Sequence, residues 1–113
     1  MPVHNDAVKL KHMLDAAEKA VHFAQNIKRH DLDSDEKLAL ALTRLLEIIG
    51  EASTQVSETF QTSNPELPWR ALRGTRNRLI HGYFEVDQDV IWKIVIDDLP
   101  PMILLLKKAL AQF

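Results

Sequence analysis

Apolar residues recur at helical spacing along most of this chain, and that pattern constrains the fold more than any other feature. Over residues 5–29 the stripe is Leu10, Leu14, Ala17, Val21 and Ala24, widened by Met13, Ala20 and Ile27. Steps of three and four keep such residues on one face of a helix, turned toward a core. Over residues 34–61 a second stripe runs through Leu38, Leu42, Leu45, Ile49, Ala52 and Val56 and ends at Phe60. Leu40, Leu46 and Ile48 lie off it, so this helix is expected to pack on more than one side. There is no strand-like alternation, and glycine occurs only three times.

The punctuation between the stripes sets the element order. Lys28, Arg29 and His30 suit a helix C-terminus. Residues 31–36 form a polar break, in which Asp33 with Glu36 three positions on has the pattern of a capping box. Gly50 falls inside the second helix, where it costs ~1 kcal/mol against Ala; close approach of another backbone explains it better than a ligand does. Residues 61–67 read as a loop. Pro68 suits the first turn of a third helix reaching His81, with Gly82 as its C-terminal glycine. Residues 83–86 connect to a fourth helix starting at Asp87 or Asp89 and burying Val90, Ile91, Ile94 and Val95. Pro100-Pro101 breaks or kinks the chain, because proline lacks the N–H donor and clashes with the preceding turn. A last helix covers 101–112. The expectation is an all-α single domain over 1–113: a four-helix bundle with a short fifth helix.

Composition narrows the functional classes. At 46% hydrophobic the 113 residues can bury a core. The absence of cysteine excludes disulfides, thiolate zinc sites and a Cys nucleophile, and fits a reducing cytoplasm. Residues 1–9 lack the apolar core of a signal peptide. No apolar run approaches the ~18 residues of a membrane span, so no membrane association is expected. Net charge is −2, which argues against wholesale nucleic-acid binding. Residues 68–81, however, hold Arg70, Arg73, Arg76 and Arg78 and no acid, leaving 10 basic and 16 acidic residues elsewhere, or −6. Such a patch can focus an anionic ligand, although a solvated helix face built with arginine would look the same.

The densest chemistry is Arg76-Asn77-Arg78-Leu79-Ile80-His81-Gly82-Tyr83, an Arg-x4-His-x-Tyr pattern. An Arg can clamp a phosphate bidentately, a His can move protons near neutral pH, and a Tyr offers a phenol for bonding or modification. If the segment is helical throughout, Asn77 and His81 share a face, while Arg76 and His81 stand about 140° apart around the axis. His81 would then lie in the last turn, where the helix dipole favours imidazolium. Arg76 and His81 would converge only by wrapping of the long Arg side chain or by help from a second chain. Taken alone, His81 would be a structural residue and Tyr83 a residue packing the turn; the cluster argues for function. His4, His12, His22 and His30 have no ligand spacing, and no metal or cofactor motif appears.

This segment resembles the signature of the HEPN superfamily, and within it the HepT-like toxins of bacterial toxin–antitoxin pairs. Residues 44–52, Arg-Leu-Leu-Glu-Ile-Ile-Gly-Glu-Ala, are similar to the second-helix segment of HepT-like proteins, and the tract from Asp89 to Pro100 is similar to their fourth helix. The resemblance implies a homodimeric helical bundle with a metal-independent ribonuclease site, without cofactor, in a bacterial or archaeal cytoplasm. By position, Arg76 would stabilise the phosphorane, Asn77 would be the polar residue that follows it, and His81 would act as general base or acid. Arg70, Arg73 and Arg78 would bind RNA. The implied partner is a nucleotidyltransferase-fold (MntA-like) antitoxin that neutralises the toxin by transferring AMP from ATP to Tyr83, as in a type VII-like system. The competing reading is a non-catalytic HEPN subunit that partners a nucleotidyltransferase. A purely structural helical dimer would leave the Arg-Asn-x3-His-x-Tyr cluster without a reason.

Overall fold

The computed structural model describes residues 4–81 and 85–113, with the backbone alone at His4, Arg76, Ile80, His81 and Glu85. Helices α1 (His4–Phe23), α2 (Asp31–Ser34), α3 (Glu36–Thr54) and α4 (Glu58–Ser63) are followed by α5 (Trp69–Arg73) and α6 (Thr75–Leu79). A two-residue pairing, β1 (Ile80–His81) with β2 (Glu85–Val86), precedes α7 (Gln88–Lys93), a π turn (Ile94–Asp98) and α8 (Leu99–Leu110). The architecture is all-α. Helix α1 packs along α3 on one side and α8 on the other. The core between them holds Leu10, Met13 and Ala17 of α1, Leu42, Leu46 and Ile49 of α3, and Leu99, Met102 and Leu106 of α8. Each large side chain removed from water there contributes about 1.5–3 kcal/mol.

The stripes reach the core, with local exceptions that have physical causes. Leu46 stands one turn from Leu42 and is buried with it, whereas Leu40 is 60% exposed. Helix α1 stops short of residue 29 because Asn26 adopts a left-handed φ of 62°, a conformation asparagine tolerates at a helix end. The cap of α3 is Asp35, whose carboxylate accepts from Leu38 N at 3.1 Å; Asp33 lies inside α2 instead of forming the expected capping box.

The expected helix over 34–61 is two helices. Ser53 and Thr54 donate their hydroxyls to the carbonyls of Gly50 and Glu51, each at 2.6 Å, and so close the last turn of α3. Ser57 then caps α4, accepting from Phe60 N. A buried carboxylate fixes the corner: Asp6, 1% exposed, accepts from Ser57 N at 2.8 Å and Ser57 Oγ at 2.7 Å. Neither its burial nor its role was visible in the α1 stripe.

At the other end of the bundle, Asp87 caps α7 by accepting from the N–H groups of Asp89 and Val90. The α-type ladder is interrupted before Pro100-Pro101, yet the chain stays helical. The wider π turn at Ile94–Asp98 takes up the ring bulk and the two missing donors without a corner.

Candidate functional site

Gly50 is where the arginine-bearing segment meets the bundle. A Cβ built on Gly50 would lie 3.1 Å from the carbonyl oxygen of Leu72 and 3.5 Å from Cβ of Thr75. The two backbones therefore touch, as the glycine's position in the sequence implied. Trp69 and Leu72 anchor α5 in the core, and the indole N–H of Trp69 donates to the carbonyl of Asn64 at 2.9 Å. Thr75, buried at the junction of α5 and α6, donates its hydroxyl to the carbonyl of Ala71 at 3.1 Å. These contacts leave Arg70, Arg73 and Arg78 exposed on the outer side of α5 and α6.

Arg70, Arg73 and Arg78 line a single open groove of about 1190 Å³, with Gln61, Pro65 and Glu58 on its other walls. The three arginines thus share one concavity. Arg73 Nη1 donates to Gln61 Oε1 at 2.8 Å, and Gln61 Nε2 in turn donates to the carbonyl of Val56 at 2.9 Å. The turn after α3 thereby orients Gln61, and Gln61 orients Arg73 through a neutral contact; Arg73 makes no ion pair among the described residues. Nothing in the sequence signalled Gln61. Arg78 lies 3.9 Å from Asp98, which also holds Lys93 at 3.7 Å. Such long, half-exposed pairs contribute little. Arg70 has no ion pair among the described residues. A cationic groove with a donor held in place can bind successive phosphates of a single strand.

The central motif is divided between elements. Arg76, Asn77 and Arg78 belong to α6, which ends at Leu79. His81 belongs to β1, where Ile80 pairs with Val86 and His81 with Glu85 in antiparallel register. Asp87 N donates to the carbonyl of Leu79 at 2.7 Å, closing the same turn. Ile80 and Val86 are β-branched and favour extended backbone, and the pairing satisfies main-chain groups that further helix would have used. The expected helix to His81 is therefore corrected. The shared face of Asn77 and His81, the 140° separation and the dipole argument for His81 all assumed helical backbone through residue 81. The inference that Arg76 and His81 need a second chain to converge loses that geometric support as well. The proposed helix-ending role of Gly82 and the position of Tyr83 lie outside the described residues.

Among the described residues no three His, Asp or Glu side chains gather as a metal site would need, and no helix is long and apolar enough to cross a membrane.

The described residues thus form a helical bundle that carries a groove lined by three arginines of two short helices. The chain belongs to the ribonuclease HepT-like family of the HEPN superfamily, whose sequence model matches residues 13–109. It is 41% identical over 93 residues to a Thermococcus cleftensis protein named "Probable ribonuclease HepT", covering 82% of this chain and 84% of that protein. It is also 38% identical over 88 residues to "Putative RNase MJ1380" of Methanocaldococcus jannaschii, covering 78% and 81% of the two chains. No solved structure matches the chain.

Proposed function

We propose that this protein is a metal-independent endoribonuclease, the toxin of a toxin–antitoxin pair. The observation that carries the reading is the groove lined by Arg70, Arg73 and Arg78, the last of which belongs to the Arg-x4-His-x-Tyr sequence, in a chain of the ribonuclease HepT-like family. RNA lies along the groove with its phosphates on those three arginines. His81 takes the proton of a ribose 2′-OH, or delivers one to the departing 5′ oxygen. The 2′ oxygen attacks phosphorus, the P–O5′ bond breaks, and the products are a 2′,3′-cyclic phosphate and a free 5′-OH. Arg76 stabilises the charge on the phosphorane, and Asn77 supplies a polar contact beside it. The reaction runs in a homodimer in the cytoplasm. A nucleotidyltransferase antitoxin silences it: the phenol oxygen of Tyr83 attacks the α-phosphate of ATP, pyrophosphate leaves, and the attached AMP obstructs a site two residues from His81.

The test is cleavage of a broad RNA panel in EDTA by wild type and His81→Ala, with the intact mass of each recorded. Cleavage by unmodified wild type alone is expected. Loss of cleavage on chelation would overturn the metal-free chemistry. Absence of cleavage by unmodified wild type under all conditions would leave the non-catalytic partner subunit as the better reading.

A further inference from the structure

The helix that closes the bundle leaves one face uncovered. On α8, Pro101, Leu104, Leu105 and Lys108 recur at helical spacing, and Asp97 in the π turn continues their line. Leu104 is 69% exposed, the most among the large hydrophobic residues described. Pro101 and Leu105 line a mostly apolar cavity of about 580 Å³ together with Leu46 and Ala71, and Asp97 lines it as well. The exposed leucine and a cavity that could receive one therefore lie side by side on the same chain. A surface with both features can complement its own copy across a two-fold axis.

Charge specifies the direction of such a contact. The face begins with an acid, Asp97, and ends with a base, Lys108, and both are exposed. Neither has an ion pair among the described residues. The neighbouring charges are already engaged, Asp98 with Lys93 and Arg78, and Lys107 with Glu18 at 3.6 Å. Two antiparallel copies of the face place each Asp97 opposite the other copy's Lys108; parallel copies would oppose like charges. We infer that this face is where a second copy of the chain docks. The two α8 helices run antiparallel, and each Leu104 enters the other copy's cavity. The inference rests on the homodimer in the proposed function and supplies its contact surface. It also has a consequence for RNA. Ala71 and Arg78 line both the cavity and the basic groove, so the two grooves flank the axis and one strand can engage both.

Charge exchange provides the test, read as the dimer dissociation constant by light scattering and sedimentation. Asp97→Lys and Lys108→Asp should each weaken self-association about tenfold or more, since each creates two like-charge contacts per dimer. Mixed together, the two variants should form a heterodimer, because both contacts are then between opposite charges. Leu104→Glu should be monomeric with an unchanged helical circular dichroism spectrum. A wild-type dimer whose dissociation constant is unmoved by all three changes would overturn this surface and leave the homodimer intact. A monomeric wild type would overturn both. RNA cleavage by a monomeric variant would not bear on the surface, so the ribonuclease reading stands or falls separately.

Discussion

Replacing Gly50 with alanine should destabilise the protein, although alanine is the better helix former. In an unobstructed helix interior the exchange gains about 1 kcal/mol. Here the new methyl would sit 3.1 Å from the carbonyl oxygen of Leu72, inside ordinary van der Waals separation. That neighbour is main chain, held by the buried Trp69 and Leu72, and cannot rotate aside. Overpacking of this kind costs about 1–3 kcal/mol. The balance is a net loss of about 1 kcal/mol, which lowers Tm by about 3–6 °C for a domain of this size. Because relief comes from moving α5, and with it Thr75 and the start of α6, RNA cleavage should fall further than stability alone explains. Urea and thermal unfolding followed by circular dichroism give the first quantity, and cleavage well below Tm gives the second. A Gly50→Ala protein that melts higher than wild type and cleaves equally well would refute the argument that the glycine exists for backbone contact.

Three further outcomes are expected. Asp6→Ala should lose about 2–3 kcal/mol in urea unfolding, because Ser57 N–H and Oγ–H lose a charged acceptor in a buried corner; a loss below about 0.5 kcal/mol would mean that water replaces it. The double variant Arg70→Ala, Arg73→Ala should bind single-stranded RNA more weakly, with the slope of log K against log salt shallower by about 1.4, at ~0.7 per contact; an unchanged slope would remove both arginines from the binding surface. Incubation with ATP and the cognate nucleotidyltransferase should add ~329 Da per AMP to the peptide containing Tyr83 and nothing to that peptide in Tyr83→Phe; an unmodified wild-type peptide would sink the proposed silencing.

The long helices were legible because their signal is periodic and extends over several turns. Leu10 to Ala24 and Leu38 to Ala52 repeat the same step often enough to outweigh local noise. Gly50 was legible for the opposite reason, as a residue whose cost in a helix requires compensation. The Asp87 cap was one of two candidates the sequence offered. The strand pairing at Ile80–His81 was not legible, since two residues cannot display a period of two. The division of α3 from α4 was written in Ser53, Thr54 and Ser57, but hydroxyls at those spacings also occur inside continuous helices. What decides the matter is Asp6, which is 51 positions from Ser57. The candidate site divides in the same way. Arg70, Arg73 and Arg78 stood out as a charge cluster, and their shared groove was one of two arrangements the sequence allowed. Gln61, which orients Arg73, stands twelve positions before it and has no motif of its own.

The π turn before Pro100 has a consequence for insertions and deletions. A regular α-helix turns about 100° per residue, so losing one residue swings everything downstream out of phase. Ile91, Val95, Leu99, Met102 and Leu106 are all buried, so one side of the chain stays on the core through the wide turn, while Asp98 stays at the surface beside Arg78. The wide turn has absorbed one surplus residue and kept both halves of the helix facing the same core. A chain one residue shorter between positions 94 and 98 would keep Met102 and Leu106 in phase with the core, but would set the rings of Pro100 and Pro101 against the carbonyls of an ordinary α turn. The same deletion within 102–106 would rotate the hydrophobic side of the last turns into water.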